Sequence, residues 1–259
     1  MGRITETVKI LLIVNVIFYL GSLFIIKPIV ATPLFALWFP EHPNFQYWQP
    51  LTHMFMHSFA SPMHILFNMY ALWMFGSPIE NAIGQKRFIF FYFSAGFGAA
   101  LIHTLVNYYD FQPAYDSLIN LGLSRDRIFE LLTQAEAQAR SNPERAYSLA
   151  GFPNEVSREA LISMVNSFVG SASGASGAIM GLLVAFGMLF PNASLGLLFI
   201  PVPIKAKYFI PIIVGIDLFS GVTGFSIFGA NIAHWAHFGG ALFGFVMMFY
   251  WKKKGLGQY

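Results

Sequence analysis

The chain has 259 residues, of which 56% are hydrophobic and 10% are charged, and its formal net charge is +3. Soluble globular domains carry about 25% charged residues, so this composition excludes a globule dissolved in water and indicates a membrane protein. The sequence contains no cysteine, which excludes disulfides and thiolate metal sites within it.

Apolar stretches recur along the chain, each close to the roughly 20 residues that a membrane-spanning helix needs. The six stretches cover residues 8–26, 62–79, 88–107, 169–190, 208–224 and 232–251. Because Lys27-Pro28 makes a poor cleavage site, we expect the first stretch to be retained as a signal anchor. The sequence therefore predicts an all-α polytopic membrane protein.

Lysine and arginine residues concentrate on one side of the predicted membrane. That side holds Arg3, Lys9, Lys86, Arg87, Lys205, Lys207, Lys252, Lys253 and Lys254. Short loops rich in these residues face the cytoplasm, so both termini are expected to be cytoplasmic. We expect a multi-pass protein of a bacterial inner (cell) membrane, with the long segment between the third and fourth spans outside.

That external segment, residues 108–168, is too long for a plain connection and has helical patterns of its own. Ser124 is a candidate cap of a first helix. The apolar face of this helix holds Ile128, Leu131, Leu132 and Ala135. Asn142-Pro143 is expected to end it, and a second helix with an apolar face from Val156 to Phe168 is expected to run directly into the fourth span.

We therefore divide the chain into three regions. Residues 1–107 hold spans one to three and the first external loop, residues 108–168 form an external helical insertion, and residues 169–259 hold spans four to six. The insertion is expected to form a small cap near the entrance to the candidate site. It either restricts which substrates approach or is a solvated hairpin without function.

Three of the predicted spans carry polar side chains, which membrane helices seldom hold without a function. The second span carries His64 and Asn68, the fourth carries Ser176, and the sixth carries His234 and His237. With the N-terminus inside, all three spans run inward from the outer face. At about 1.5 Å per residue, Ser176 and His237 then both lie on the order of 10 Å below that face.

These residue types are those of acyl transfer. A serine hydroxyl such as that of Ser176 becomes a nucleophile when a base takes its proton, and an imidazole does this near neutral pH. His64 and Asn68 are four residues apart and project from one helix face. Together with the backbone N–H of Ser176, they are candidate donors to the oxyanion that develops in the reaction.

Glycines surround both candidate catalytic side chains. Gly174 and Gly177 keep the fourth span thin, and Gly240 and Gly244 form a pair of small residues near the face of His237. Close packing of the two helices would bring the short serine side chain within hydrogen-bond reach of the histidine.

The three motifs resemble those of the rhomboid intramembrane serine proteases. They are His64-x-x-x-Asn68 on the second span, Gly174-x-Ser176-Gly177 on the fourth, and Ala236-His237-x-x-Gly240-x-x-x-Gly244 on the sixth. The similarity covers about residues 45–107 and 169–251. It implies a six-helix rhomboid-like bundle in which a Ser–His dyad cleaves transmembrane segments of other proteins near the outer membrane face.

Two positions depart from the rhomboid pattern. Trp48-Gln49 stands where many members have Trp-Arg, and Met180 stands where many have an aromatic residue below the histidine ring. A thioether also packs on imidazole, so we expect softer support for His237 without loss of activity.

Other roles for the polar residues stay open. His234 lies one turn before His237 and is an alternative base, although the glycine spacing favours His237. Asp217 reaches about the same depth and is a candidate to orient His237. The resemblance implies a dyad instead, and on that basis Asp217→Asn is expected to cost little activity. Gly221, Gly224 and Gly229 are candidate hinges of a lid.

Other functions are also possible. One is a catalytically inactive relative that binds membrane clients, and another is a transporter, for which the sequence lacks an internal repeat. His53 and His57 have the spacing of metal ligands, but no carboxylate is near them and no His-Glu-x-x-His occurs. We expect transmembrane protein substrates and the lipid bilayer as partners, and no metal, cofactor or nucleic acid.

Overall fold

The computed structural model of the chain describes residues 3–141, 149–197, 200–225 and 233–255. The chain separates into two compact units. The first unit comprises Met1–Leu37, Tyr47–His103 and Ala172–Tyr259, and the second comprises Trp38–Gln46 and Thr104–Ser171.

Helices dominate the described part of both units. In chain order the elements are α1 (Glu6–Leu20), a π-helical turn (Gly21–Ile26), α2 (Pro28–Phe35), β1 (Leu37–Trp38), α3 (Gln49–Thr52), α4 (Met63–Ile83), α5 (Gln85–Asn120), α6 (Arg125–Ser141), α7 (Arg158–Val169), β2 (Ser171–Ala172), α8 (Ser176–Leu189), β3 (Ser194–Leu197), β4 (Ile200–Lys205), α9 (Ala206–Thr223) and α10 (His234–Lys253). The short strands pair as β1 with β2, and as β3 antiparallel with β4.

Within the described ranges, three helical segments are long and apolar enough to cross a membrane, and a further apolar helix is shorter. The three are Glu6–Ile26, Gln85–Asn120 and Ala206–Thr223, and the shorter one is α8. They expose large apolar side chains, among them Ile17, Phe24 and Phe219. Helices of this length and apolarity that expose many such side chains are those of an integral membrane protein.

Helix α8 occupies the centre of the first unit. It packs against α4, α9 and α10, and most of its residues are buried. The core around it includes Leu72 and Phe75 of α4, Leu182 of α8 and Ile210 of α9. A residue at the start of α8 is therefore within reach of side chains from several helices.

Glycines allow α8 and α10 to approach backbone to backbone. A Cβ atom on Gly240 would overlap the carbonyl oxygen of Gly177, and one on Gly244 would lie 2.6 Å from the Cα of Gly181. No larger residue fits at either position unless the helices separate. This close approach lets short side chains on the two helices meet.

The boundaries of two predicted spans differ from those in the structure. The predicted continuation of the second insertion helix into the fourth span is wrong, because α7 ends at Val169 and α8 begins only at Ser176. An extended Gly170 and a positive φ of 125° at Gly174 interrupt the helical path between them. Conversely, α5 continues past residue 107 to Asn120.

The second unit has its own apolar core. Both predicted helices are confirmed: the Ser124 hydroxyl accepts the Arg127 N–H at 3.2 Å, and the Ser157 hydroxyl caps α7 through the Ala160 N–H, also at 3.2 Å. The core buries the predicted faces of α6 and α7 through Ile128, Leu131, Leu132, Ala135, Leu161, Met164, Val165 and Phe168. The predicted break at Asn142-Pro143 lies outside the described residues.

A buried carboxylate of α4 caps the first turn of α1. Glu80 is 6% exposed. It accepts hydrogen bonds from the hydroxyls of Thr5 at 2.5 Å and Thr7 at 2.7 Å, and from the backbone N–H of Val8 at 3.2 Å. The first N–H groups of a helix lack intrahelical partners, and this end of the helix dipole attracts an anion. Glu80 thereby joins α1 to α4.

Glu80→Gln is expected to lower the free energy of unfolding by about 1–3 kcal/mol, because an amide cannot accept all of these hydrogen bonds. Thermal unfolding in detergent, followed by circular dichroism, measures the change. Glu6→Gln is the matched control, since Glu6 lies in the same turn of α1 and is exposed. Equal unfolding midpoints for the two variants would contradict this role of Glu80.

Candidate active site

Ser176 and His237 are hydrogen-bonded to each other. The Ser176 hydroxyl and the Nε2 atom of His237 are 2.8 Å apart. Ser176 is the first residue of α8, and His237 lies in the first turn of α10. The close packing of α8 on α10 positions both residues, so the hydroxyl faces a ring nitrogen that is able to accept its proton.

The turn before Ser176 is held by a glycine and a backbone hydrogen bond. Gly174 has a φ of 125°, which side-chain-bearing residues seldom adopt. Its N–H donates to the carbonyl oxygen of His53 at 2.8 Å. Gly174 is thus a turn residue that precedes the helix, rather than the residue that thins the fourth span as its position in the sequence predicts.

A carboxylate lies on the far side of the His237 ring. The Nδ1 atom of His237 is 3.0 Å from Oδ2 of Asp217, and the Nδ1 atom of His234 is 2.5 Å from Oδ1 of the same residue. His237 thus contacts Ser176 through Nε2 and Asp217 through Nδ1. The sequence offers Asp217 as a candidate to orient His237 but does not predict its contact with both histidines.

His64 faces the space in front of the Ser176 hydroxyl. Its Nδ1 atom accepts the backbone N–H of Ser58 at 3.1 Å, so the ring hydrogen is on Nε2. A Cβ atom on Gly174 would lie 2.9 Å from this Nε2 and 3.4 Å from the Ser176 hydroxyl oxygen. The absence of a side chain at Gly174 leaves this space open, and an N–H donor borders it.

Asn68 lies one helical turn after His64 and is buried. Its side-chain N–H donates to the carbonyl oxygen of His64 at 2.8 Å. Its own carbonyl oxygen, Oδ1, is buried and has no partner among the described residues. The hydrogen bond of Asn68 thus goes to the backbone of its own helix, one turn from Asn68 at His64.

The two histidines with metal-ligand spacing contact different partners. The Nδ1–H of His53 donates to the carbonyl oxygen of Gln49 at 3.0 Å, and Nε2 of His57 lies 2.9 Å from Oδ1 of Asn15. Burial lowers the pKa of His53 to about 4. Burial, with a smaller effect of His64, lowers the pKa of His57 to about 3. Both rings are therefore neutral, and each bonds to a different helix: His53 to the backbone of α3 and His57 to a side chain of α1.

The candidate lid is only partly described. Helix α9 ends at Thr223, followed by Gly224 with a φ of 73°. A Cβ atom on Gly221 would lie 3.2 Å from the Trp235 ring. Gly229 lies outside the described residues, so the hinge hypothesis stays a prediction.

The amino-acid sequence matches the Rhomboid domain over residues 44–126 and 146–254. Presenilin-associated rhomboid-like protein A, mitochondrial, of Danio rerio is 27% identical over 203 residues, which are 76% of this chain and 37% of that protein. The presenilin-associated rhomboid-like proteins, mitochondrial, of Bos taurus and Homo sapiens are 27% and 26% identical over 203 residues, 76% of this chain and 38% of each relative. The chain thus spans little more than a third of the length of these relatives. Since the domain match covers most of its residues, the chain belongs to the rhomboid family of integral membrane proteins.

Proposed function

We propose that this protein is an intramembrane serine endopeptidase that cleaves transmembrane segments of other membrane proteins. The observation that carries the proposal is the 2.8 Å hydrogen bond between the Ser176 hydroxyl and Nε2 of His237. Membership of the rhomboid family agrees with it, since the resemblance implies this pair of residues. A serine with a hydrogen-bonded imidazole is the arrangement that activates a hydroxyl for acyl transfer.

The reaction begins when His237 Nε2 takes the Ser176 proton. The hydroxyl oxygen then forms a bond to the scissile carbonyl carbon, and the carbonyl electron pair moves onto its oxygen. His237 passes the proton to the departing amine nitrogen as the C–N bond breaks, which leaves an acyl-enzyme. Water, deprotonated by His237, then releases the acid and restores the hydroxyl.

Of the three predicted oxyanion donors, we propose that two, on His64 and Ser176, act directly, and Asn68 stays a prediction. One is Nε2–H of His64, which borders the open space in front of Gly174. The other is the backbone N–H of Ser176, the first residue of α8, which has no partner within the helix. The dipole of α8 adds to the attraction for negative charge at this point.

His64→Ala is expected to lower the cleavage rate by about 10²–10³, the effect of removing one oxyanion donor. Asn68→Ala is expected to have a smaller effect, because the described hydrogen bond of Asn68 goes to the His64 carbonyl. The rates are measured on a reporter transmembrane segment, with unfolding midpoints checked in parallel. An unchanged rate in a folded His64→Ala variant would remove His64 from the oxyanion site.

The substrate is proposed to be a transmembrane helix with a weakly helical segment near the cut. Ser176 can only attack a carbonyl that has left its own helical hydrogen bond. Glycine and other weak helix formers lower the free-energy cost of that local unwinding. Partners are thus transmembrane proteins and the surrounding lipid.

We also propose the six-span topology with both termini on the cytoplasmic side of a bacterial inner membrane and residues 108–168 outside. The support is the distribution of lysine and arginine over the short loops. The relatives named above are designated mitochondrial. In that organelle, the corresponding proposal is that both termini lie on the matrix side.

A topology reporter fused after Tyr259 is expected to report the cytoplasm, and one inserted near Ser141 is expected to report the outside. The physical reason is that positively charged short loops are retained on the cytoplasmic side. Fusions of an enzyme active on only one side of the membrane measure this. The opposite pattern would place the Ser176 end of α8 at the cytoplasmic face.

Labelling with a fluorophosphonate tests the proposed function. Only an activated serine reacts, so we expect covalent modification at Ser176 in the wild-type protein, identified by peptide mass spectrometry, and none elsewhere. Ser220, which is buried and has no hydrogen-bond partner among the described residues, is an internal control. Absence of labelling and of reporter cleavage would favour the inactive, client-binding alternative.

A further inference from the structure

We propose that Asp217 and His234 are positioning residues for His237. The site is then a hydrogen-bonded set of four side chains (Ser176, His237, Asp217 and His234), here called the relay, instead of a Ser–His dyad. This inference rests on the proposed function. It departs from what the family resemblance implies, and the contacts of a single carboxylate carry it.

The carboxylate of Asp217 bridges two successive turns of α10. Oδ2 lies 3.0 Å from Nδ1 of His237, and Oδ1 lies 2.5 Å from Nδ1 of His234. His234 and His237 are three residues apart, so both rings project from one face of the helix. Asp217 comes from α9 and is 5% exposed. A buried charge from a second helix therefore has one histidine on each oxygen.

These contacts set the hydrogen positions on His237. An ionised carboxylate only accepts hydrogen bonds, so Nδ1 of His237 must carry the hydrogen that it donates to Asp217. Nε2 is then left with its lone pair, directed at the Ser176 hydroxyl 2.8 Å away. This is the tautomer that acts as a base. Without the carboxylate, the ring is free to adopt the other tautomer, which cannot take the serine proton.

The same carboxylate stabilises the charge that the reaction creates. When His237 takes the proton, its imidazolium faces the Asp217 oxygen at 3.0 Å. Among the described residues, the polar groups near this ring include Ser176 from α8, His234 from α10 and His64 from α4. The negative charge of the Asp217 carboxylate, in direct contact with the ring, offsets the positive charge of the imidazolium.

His234 holds the carboxylate in place. A buried carboxylate with one oxygen that accepts no hydrogen bond would rotate toward any available donor. The His234 N–H occupies Oδ1 and thereby leaves Oδ2 for His237. His234 is 9% exposed, and its Nδ1 contacts Asp217, so we assign it a role that acts through Asp217 and not on the substrate.

Variants of Asp217 distinguish the relay from a dyad. Asp217→Ala is expected to slow fluorophosphonate labelling of Ser176 and reporter cleavage by about 10²–10⁴, the range for loss of tautomer control. Ser220→Ala is the matched control, because Ser220 lies one turn later on α9, is buried and has no described partner. A dyad predicts that both variants keep wild-type rates.

Asp217→Asn is a milder change with a distinct prediction. The amide keeps His237 in the tautomer that acts as a base only if the amide oxygen accepts the hydrogen on His237 Nδ1. The NH₂ group then faces Nδ1 of His234, so the hydrogen on the His234 ring must move to Nε2. We therefore expect a rate between those of wild type and Asp217→Ala. This isosteric variant also keeps the test valid if Asp217→Ala fails to fold.

The role of His234 is tested by a pair of substitutions. His234→Asn keeps an N–H near the position of Nδ1 and is expected to retain most of the rate. His234→Ala removes the donor and is expected to lower the rate by about 10–100-fold, the effect of losing one charge-assisted hydrogen bond. Equal loss in the two variants would show that His234 only fills space.

Nitrogen NMR of ¹⁵N-histidine-labelled protein reads the tautomer independently of activity. We expect hydrogen on Nδ1 of His237 in the wild type, and a mixture of tautomers in Asp217→Asn. Hydrogen on Nε2 in the wild type would overturn the relay, as would wild-type rates in Asp217→Ala and His234→Ala. If the wild-type protein neither labels nor cleaves, the proposed protease function fails, and the NMR result still decides whether Asp217 sets the tautomer.

Discussion

Ser176→Ala and His237→Ala are each expected to abolish cleavage of a reporter transmembrane segment. The alanine at position 176 removes the oxygen that is proposed to form the acyl-enzyme, and the alanine at 237 removes the proposed base, whose Nε2 lies 2.8 Å from that oxygen. In serine proteases the loss of either residue lowers kcat by about 10⁶, and losing both costs little more, because the residues act as a unit. The double variant should therefore match the single ones.

The fold should survive the serine substitution. Ser176 begins α8 without capping it, since the residue at the cap position is Ala175, and alanine is a good helix former. Ser173→Ala is the matched control, a serine three residues earlier in the same connection. Cleavage and fluorophosphonate labelling are compared in variants with equal unfolding midpoints. Full cleavage by a folded Ser176→Ala variant would end the protease proposal.

Gly240→Ala is expected to produce the largest loss of stability among conservative changes in the bundle. The added methyl group would overlap the carbonyl oxygen of Gly177. Backbone cannot rotate away as a side chain can, so α8 and α10 must separate. Overpacking of this kind costs about 1–3 kcal/mol, and sometimes more. Separation also moves His237 away from Ser176, so labelling should fall with the unfolding midpoint.

Gly215→Ala is the control for this prediction. Gly215 lies inside α9, and among the described residues no atom beyond its own turn of helix lies within 4 Å of the position that its Cβ would take. Alanine is favoured over glycine in a helix by up to about 1 kcal/mol, so this variant should be as stable as wild type or more so. Thermal unfolding in detergent and the labelling rate are measured for both. If Gly240→Ala matches Gly215→Ala in both measurements, α8 and α10 are not in close backbone contact.

The composition and the local patterns of the sequence by themselves determined the membrane class, the helical faces and the family. The faces of α6 and α7 follow from the spacing of Ile128, Leu131, Leu161 and Phe168, because helical periodicity is a property of neighbouring residues. The three motifs identified the family for a similar reason. Each places polar or small residues at a fixed spacing within a short stretch of the chain.

Only the tertiary structure decided how the candidate site is assembled. Equal depth in the membrane made Asp217 a candidate, but depth leaves the rotation of α9 about its axis open. That rotation, set by packing against α8 and α10, directs the carboxylate at both His234 and His237. The start of α8 at Ser176 likewise depends on the positive φ of Gly174 and its hydrogen bond to His53, a residue 121 positions away in the sequence. Contacts between distant segments depend on how whole helices pack, which no local spacing encodes.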